Sequence, residues 1–270
     1  MQPTKVDSIS IRVDGVSIIR SAPSTHAADH QDTETAMKKS IVNPLAISRF
    51  LKVYDDDAAQ KGIKISIGFD FHRYVSITRA TPTKSPTYPN FRPDRSPIKA
   101  GEGFWIVGVD HNDDVALLDA ARLYDLSHSN FAEHWQSLKA FYADPAIHAH
   151  PNDSCTCSAP SAKNITGKVA LLGDIWVRKD YRGQGVPRIA AGIACGVSFA
   201  LWAPDFLCGL VARWSLDKGV VAQYGMPHHE PGGSILRLVE EKISDDEWLI
   251  WLSGEELRSR IDLHHETSQL

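Results

Sequence analysis

Residues 168–202 run KVALLGDIWVRKDYRGQGVPRIAAGIACGVSFALW. Val169 to Val177 is an apolar run closed by a β-branched residue, the composition of a buried strand. Arg178 to Tyr181 is a polar connection. Arg182 to Arg188 holds two glycines and a proline, and Ile189 to Trp202 is uncharged, apolar and rich in small residues. The order is strand, glycine turn, helix. Such a turn gathers unpaired backbone N–H groups at a helix N-terminus, where the helix dipole also favours an anion, typically a phosphate. The segment is therefore expected to bind a phosphorylated cofactor. Pro187 is expected at the first helical position, where a helix tolerates proline best, and it removes one N–H from the phosphate side.

Working outward, the flanking sequence supplies strands and helices in a definite order. Asn43-Pro44 reads as a capped helix start, Leu45, Ile47, Phe50, Leu51 and Tyr54 form its apolar face, and Gly62 stops it. Ile63 to Phe71 alternates as a strand. Thr81 to Pro97 carries five prolines and reads as a long extended loop, either a surface connection or a flap over a site. Gly103 to Asp110 and Val115 to Tyr124 read as two strands joined by a polar turn. Ser127 to Tyr142 has a helical pattern and Ala143 to Gly167 is loop-like. Beyond the central helix, Phe206 to Ala212 reads as a strand, Ser215 to Tyr224 as a helix, and Ser234 to Glu240 with Glu247 to Leu252 as a closing hairpin.

The run from Val177 through Arg182, Gly183, Gln184, Gly185, Val186, Pro187 and Arg188 resembles the cofactor-binding motif of the GCN5-related N-acetyltransferases (GNAT). That motif has Gln or Arg, two residues, Gly, one residue, then Gly or Ala. Arg182 and Gly185 match, and Pro187 departs. The resemblance covers about residues 102 to 252. It implies an α/β fold with a mixed, mostly antiparallel central sheet flanked by helices, interrupted by a helical and loop insertion at 127–167. The expected division is a polar N-terminal segment at 1–40, a helix, strand and Pro-rich loop at 41–101, a core at 102–255 that the resemblance implies binds acyl-CoA, and a C-terminal tail at 256–270.

The resemblance further implies an N-acetyltransferase that moves an acetyl group from acetyl-CoA to a primary amine in a ternary complex. The backbone of Ile175, Trp176 and Val177 would meet the cofactor's pantetheine arm, and the turn from Arg182 to Arg188 its pyrophosphate. Asp174 is the one carboxylate on that strand. It reads as a general base or as a hydrogen-bonded structural acid, and strict alternation places it on the face of Leu172 and Trp176. The family's thiolate-protonating tyrosine would fall at Val221; Tyr224, three places later, is assigned that role instead. Pro187 and the displaced tyrosine favour the alternative, a non-catalytic acyl-CoA-binding or regulatory domain.

Other residues are of types that carry chemistry. His148, His150, Cys155 and Cys157 are zinc-ligand types at unusual spacing, and no metal is assigned to them. His228-His229 reads as a pair lining an acceptor site or as exposed loop residues. Gly192 and Gly196 flatten one side of the central helix, expected to lie against the sheet. Composition bounds the rest. The chain has 270 residues, 43% hydrophobic and 23% charged, with a formal net charge of −4, which disfavours a nucleic-acid surface. The four cysteines do not make a disulfide framework, and Ile189 to Ala203 is too short for a comfortable membrane span. No basic segment followed by an apolar core opens the chain, so a cytoplasmic protein without membrane or nucleic-acid partners is expected.

Overall fold

The computed structural model describes residues 43–267. The strand expected around Ile9, Ile11 and Val13 lies outside the described residues.

The first described helix, α1 (Pro44–Gln60), begins as its sequence dictates. The Asn43 side chain accepts from the N–H groups of Leu45 and Ala46, and Pro44 occupies the first turn. Gly62, at φ +70°, ends it, and β1 (Lys64–Gly68) follows. The run read as a strand to Phe71 stops earlier, because Asp70 caps a helix, α2 (Phe71–Ala80), through the N–H groups of His72 and Arg73. Phe71, Tyr74, Val75 and Thr78 are its buried residues, an i, i+3, i+4, i+7 pattern. The Pro-rich segment then runs without regular structure apart from one 3₁₀ turn at Pro89–Phe91.

Strands β2 (Gly103–Val109) and β3 (Val115–Leu126) form an antiparallel pair. The helix expected over 127–142 is two turns only, α2 being followed by α3 (Phe131–Gln136). Leu138 at φ +60° interrupts the helical path beyond it. The rest of the insertion carries a single turn, α4 (Pro145–His148), and a three-residue strand, β4 (Ser154–Thr156), which pairs with an edge of the sheet. β5 (Gly167–Val177) and α5 (Val186–Trp202) are the strand and helix of the diagnostic stretch. β6 (Phe206–Ala212) follows. The next helical stretch is divided at Gly219, φ +69°, into α6 (Arg213–Asp217) and α7 (Val220–Tyr224). The hairpin β7 (His228–Leu238) and β8 (Ile243–Ser253) closes the sheet. A helix not read from the sequence, α8 (Gly254–Thr267), begins where the tail was expected.

The eight strands among the described residues form one sheet in the order β1-β2-β3-β5-β6-β8-β7-β4. Every neighbouring pair is antiparallel except β5 and β6. A parallel step needs a crossover, and α5 supplies it. One face of the sheet carries a core built with α1, α5, α7 and α8, including Phe50, Tyr54, Ile189, Ile193 and Leu257. The opposite core is aromatic, with Tyr74, Phe91, Trp105, Phe131, Trp135 and Trp176.

Gly192 and Gly196 do leave α5 flat, but toward α1 and not toward the sheet. A Cβ at Gly192 would lie 2.3–2.4 Å from the Tyr54 ring, and one at Gly196 would meet Leu51 and Phe50 at 2.6–3.0 Å. No local pattern marks α1 as the partner of that side, because the contact is made between residues far apart in sequence.

Candidate active site

The parallel ladder between β5 and β6 is short. It pairs Val169 with Phe206 and ends at Leu172 opposite Gly209. Both strands continue. Trp176 and Val177 of β5 pair with Leu118 and Leu117 of β3 on the other side, while Leu210 to Ala212 of β6 pair with β8. The edges of β5 and β6 that face each other beyond Leu172 and Gly209 therefore carry no ladder, and the sheet is open between them. Ile175, Trp176 and Val177, the residues expected to meet a pantetheine arm, lie on this open stretch of β5.

A β-bulge marks the opening. Ala120 pairs with Gly173 and Leu118 with Trp176, so Asp119 alone faces both Asp174 and Ile175. Asp174 sits at φ +58°, a backbone region that asparagine and aspartate tolerate better than other side chains. The extra residue breaks the alternation of the strand. Trp176 belongs to the aromatic core, whereas Leu172 and Ile175 pack against the opposite one. Asp174 contacts Tyr74 and Lys84 on the aromatic side. Leu172 and Trp176 thus lie on opposite faces, which corrects the alternation expected from sequence.

Asp174 is buried in a tight polar group. The Lys84 ammonium donates to one carboxylate oxygen at 2.8 Å, and the Tyr74 hydroxyl donates to the other at 2.8 Å. Its side chain is 2% exposed and that of Lys84 is 5% exposed. Burial drives the Asp174 carboxyl upward, and Lys84 and Tyr74 pull it part of the way back. Both oxygens are already engaged by protein donors, an arrangement that suits a strut more than a proton acceptor.

Two cavities back onto the opening from opposite sides. The first, about 70 Å³, lies on the α5 side and is lined by Asp119, Ala191, Val211, Tyr224 and Met226 among others. The second, about 270 Å³, lies on the aromatic side under the Pro-rich segment, with Lys84, Tyr88, Phe91, Trp135, Trp176 and Glu247 in its wall. Leu172, Gly173, Asp174, Ile175 and Leu210 line both.

Tyr224 reaches this junction from the end of α7, and Gly225 at φ +66° stops the helix behind it. Burial, with the carboxyl of Asp119 nearby, pushes its hydroxyl well above the ordinary tyrosine value, so it remains a proton carrier at neutral pH. Val221 is buried core. Asp119 is buried, accepts from the N–H of Ala120, and is held strongly toward its protonated form by desolvation. Glu247, on β8, has its carboxyl raised to about 7, first by desolvation and then by Asp245.

The glycine turn lies beyond the end of β5. Gly183 and Gly185 both have φ +76°, and a Cβ at either would meet nothing within 4 Å. The space above the turn is open. The backbone N–H groups of Gly183, Gln184, Gly185 and Val186 make no hydrogen bond of ordinary length and angle to any described residue, whereas those of Arg188 and Ile189 donate to Gly185. Val186 begins α5, so Pro187 stands at its second position and not, as expected, its first. The basic character of the turn is smaller than its composition suggests. Arg178 is held by Asp110 and Asp180, Arg188 by Asp57, and Arg182 donates through Nε to the Val177 carbonyl at 2.9 Å. Arg178 in turn lowers the Asp110 carboxyl to about 2.

The remaining candidates are dispersed. His148 is exposed, His150 accepts from the Asn152 N–H, and Cys155 and Cys157 are buried thiols pushed up to about 11 by desolvation. No group of three or more metal-ligand side chains occurs among the described residues. His228 pairs with Glu256 at 2.8 Å and stacks on Trp251, away from the opening.

Sequence reasoning missed Lys84, Asp119 and Glu247. Asp119 had a signal, a single carboxylate within the apolar run of β3. Lys84 stands among prolines and Glu247 after three other polar residues, and nothing in those contexts separates them from solvated positions.

A sheet that is antiparallel but for one central pair agrees with the mixed, mostly antiparallel sheet that the resemblance implied. The fold is α/β, one mostly antiparallel sheet with helices on its faces. No family model and no curated protein matches the chain. Among solved structures, mutant forms of the spermidine/spermine N-acetyltransferase SpeG from Vibrio cholerae align at 12% identity over 74% of this chain and 98% of theirs, with a TM-score of 0.40. Arabidopsis thaliana NAA60 in complex with acetyl-CoA aligns at 12% identity over 71% of this chain and 98% of its own, with a TM-score of 0.41. At such identities and scores these likenesses carry no argument about activity or acceptor. Among the described residues no helix is long and apolar enough to cross a membrane.

Proposed function

We propose that the protein is an acetyl-CoA-dependent N-acetyltransferase whose cofactor enters between β5 and β6. The observation that carries this reading is the end of the parallel ladder at Leu172 and Gly209, with cavities on both faces of the sheet backing onto the gap. Backbone groups without a ladder partner are strong hydrogen-bonding sites, and an extended arm bearing amides is the ligand that satisfies a strand edge.

In this reading the pyrophosphate sits on the turn from Arg182 to Arg188. The N–H groups of Gly183, Gln184, Gly185 and Val186 are its donors, aided by the dipole of the 17-residue α5. Pro187 costs one donor, and four remain. The pantetheine arm lies along Ile175, Trp176 and Val177, and its thioester reaches the bulge.

Attack of an amine on the thioester carbonyl breaks the C–S bond, and the departing thiolate needs a proton. Tyr224, kept protonated by burial and lining the cavity on the cofactor side, supplies it. Asp174, joined to Lys84 and Tyr74, holds the bulge and is a positioning residue here. The Pro-rich segment roofs the cavity on the acceptor side through Lys84, Tyr88 and Phe91.

The reading is tested by titrating acetyl-CoA calorimetrically and following free thiol when amines are added. Binding with amine-dependent thiol release supports it. Binding without release for any amine favours a non-catalytic acyl-CoA-binding domain, and no binding at millimolar cofactor rejects both.

A further inference from the structure

The cavity on the aromatic side of the sheet has a composition that selects its occupant. Its wall is apolar and aromatic, with Tyr88, Phe91, Trp135, Phe141 and Trp176. Three charge-bearing side chains reach it: Lys84, Asp174 and Glu247. Two of them are spent on each other, since Lys84 and Asp174 form a buried pair at 2.8 Å. Glu247 has no hydrogen-bond or ion-pair partner among the described residues. A carboxylate in such surroundings is costly unless something cationic joins it.

The position of Glu247 follows from the strands. It pairs with Ser234 of β7 on one side and Ala212 of β6 on the other, and shares the aromatic face with Leu249 two residues on. It therefore stands across the open gap from the bulge of β5. The groups that act on it are Asp245 along its own strand, Cys155 from β4, and the Lys84–Asp174 pair across the cavity. The thiol of Cys155 is held neutral by burial, and the pair is internally compensated. Asp245 is the single like charge, and it reinforces the demand for a cation.

We propose that this cavity is the acceptor site, that Glu247 is the catalytic base which holds the acceptor's ammonium and takes its proton, and that the acceptor is a compact monoamine with an aromatic body. The proposal rests on the acetyltransferase reading above for its chemistry, though not for its binding site. A volume of about 270 Å³ suits a single ring with a short amine-bearing arm. Aromatic walls favour an aromatic guest by area and by ring contacts. A polyamine is disfavoured, because its second ammonium would find no free carboxylate and would meet Lys84.

The proton balance is simple. The bound ammonium loses one proton to solvent through Glu247. The amine nitrogen then attacks the thioester carbonyl carbon, the C–N bond forms and the C–S bond breaks. The second proton of the nitrogen passes to Glu247, while Tyr224 protonates the thiolate and is recharged from Glu247 through solvent. The products are an amide, free thiol and one released proton. A carboxyl poised near 7 is matched to this task at neutral pH.

Two measurements test the proposal. The first needs no cofactor: 2-phenylethylamine is titrated into the apo protein and followed by tryptophan fluorescence, since Trp135 and Trp176 line the cavity. Saturable binding is expected, weakened at least about 10-fold in Glu247→Gln and outcompeted poorly by spermidine. No binding, or equal binding by the variant, overturns the site whatever becomes of the cofactor. The second is transfer from acetyl-CoA. Glu247→Gln is expected to lower kcat/KM for the aromatic amine by about 100-fold or more and to remove the limb of the pH profile that rises near 7, with acetyl-CoA affinity unchanged. An unaltered pH profile, or a preference for spermidine, overturns the proposal and leaves the acetyltransferase reading standing.

Discussion

Leu172 and Gly209 are the last partners of the parallel ladder, and the open sheet beyond them places Tyr224 on one side and Glu247 on the other. The distribution of chemistry across that gap generates the expectations that follow.

The glycine turn is expected to matter for binding more than for packing. Gly185→Val places a β-branched side chain at φ +76°, a conformation that costs a non-glycine residue roughly 1–2 kcal/mol. No atom lies within 4 Å of the new Cβ, so the core is undisturbed. The melting temperature is expected to fall by several degrees while the variant stays folded, and acetyl-CoA binding is expected to be lost. A variant that melts lower yet binds as tightly as the parent would remove the turn from the cofactor site.

Tyr224→Phe removes a proton donor and little volume. Turnover is expected to drop by about 100-fold with acetyl-CoA affinity nearly unchanged, once single-turnover rates show that chemistry is the slow step. Unaltered single-turnover rates would leave Tyr224 as a packed aromatic.

Asp174 is expected to show its role as a strut in stability. Asp174→Asn tolerates the positive φ but leaves the buried ammonium of Lys84 uncompensated, a loss on the order of 3 kcal/mol. The double variant Lys84→Met with Asp174→Asn is expected to recover much of it. Urea denaturation of the three variants decides. Additive losses would show that the two residues are not coupled.

Asp119 gives a pH dependence of definite sign. Its folded carboxyl is raised by desolvation, whereas in the unfolded chain it titrates near 4. Above that value the unfolded state ionises and the folded state does not, so the unfolded state binds fewer protons and stability falls as pH rises toward the folded value. Asp119→Asn keeps an acceptor for the Ala120 N–H and removes the penalty. The variant is expected to match the parent near pH 4 and to exceed it increasingly toward pH 8 in thermal melts. A parallel pair of stability curves would show that Asp119 is ionised at little cost.

Much of the fold was legible because its signals are local. The cap at Asn43, the strand from Val169 to Val177 and the helix after Gly185 follow from short-range rules of capping, alternation and glycine placement. The bulge at Asp174 was not, because it is set by pairing with β3, and one extra residue reverses every facing beyond it. The cavity beneath the Pro-rich segment was not legible either. Lys84, Asp174 and Glu247 are brought together by folding over separations of 90 residues and 73 residues, and no local pattern records that.

The proposed function requires acetyl-CoA to lie in the gap between β5 and β6. The most direct measurement is a crystal structure of the protein with coenzyme A. The pyrophosphate is expected on the N–H groups of Gly183 to Val186, the pantetheine amides on the edge of Ile175 to Val177, and the sulfur beside Tyr224. Coenzyme A bound elsewhere, with the gap between Leu172 and Gly209 closed or empty, would contradict it.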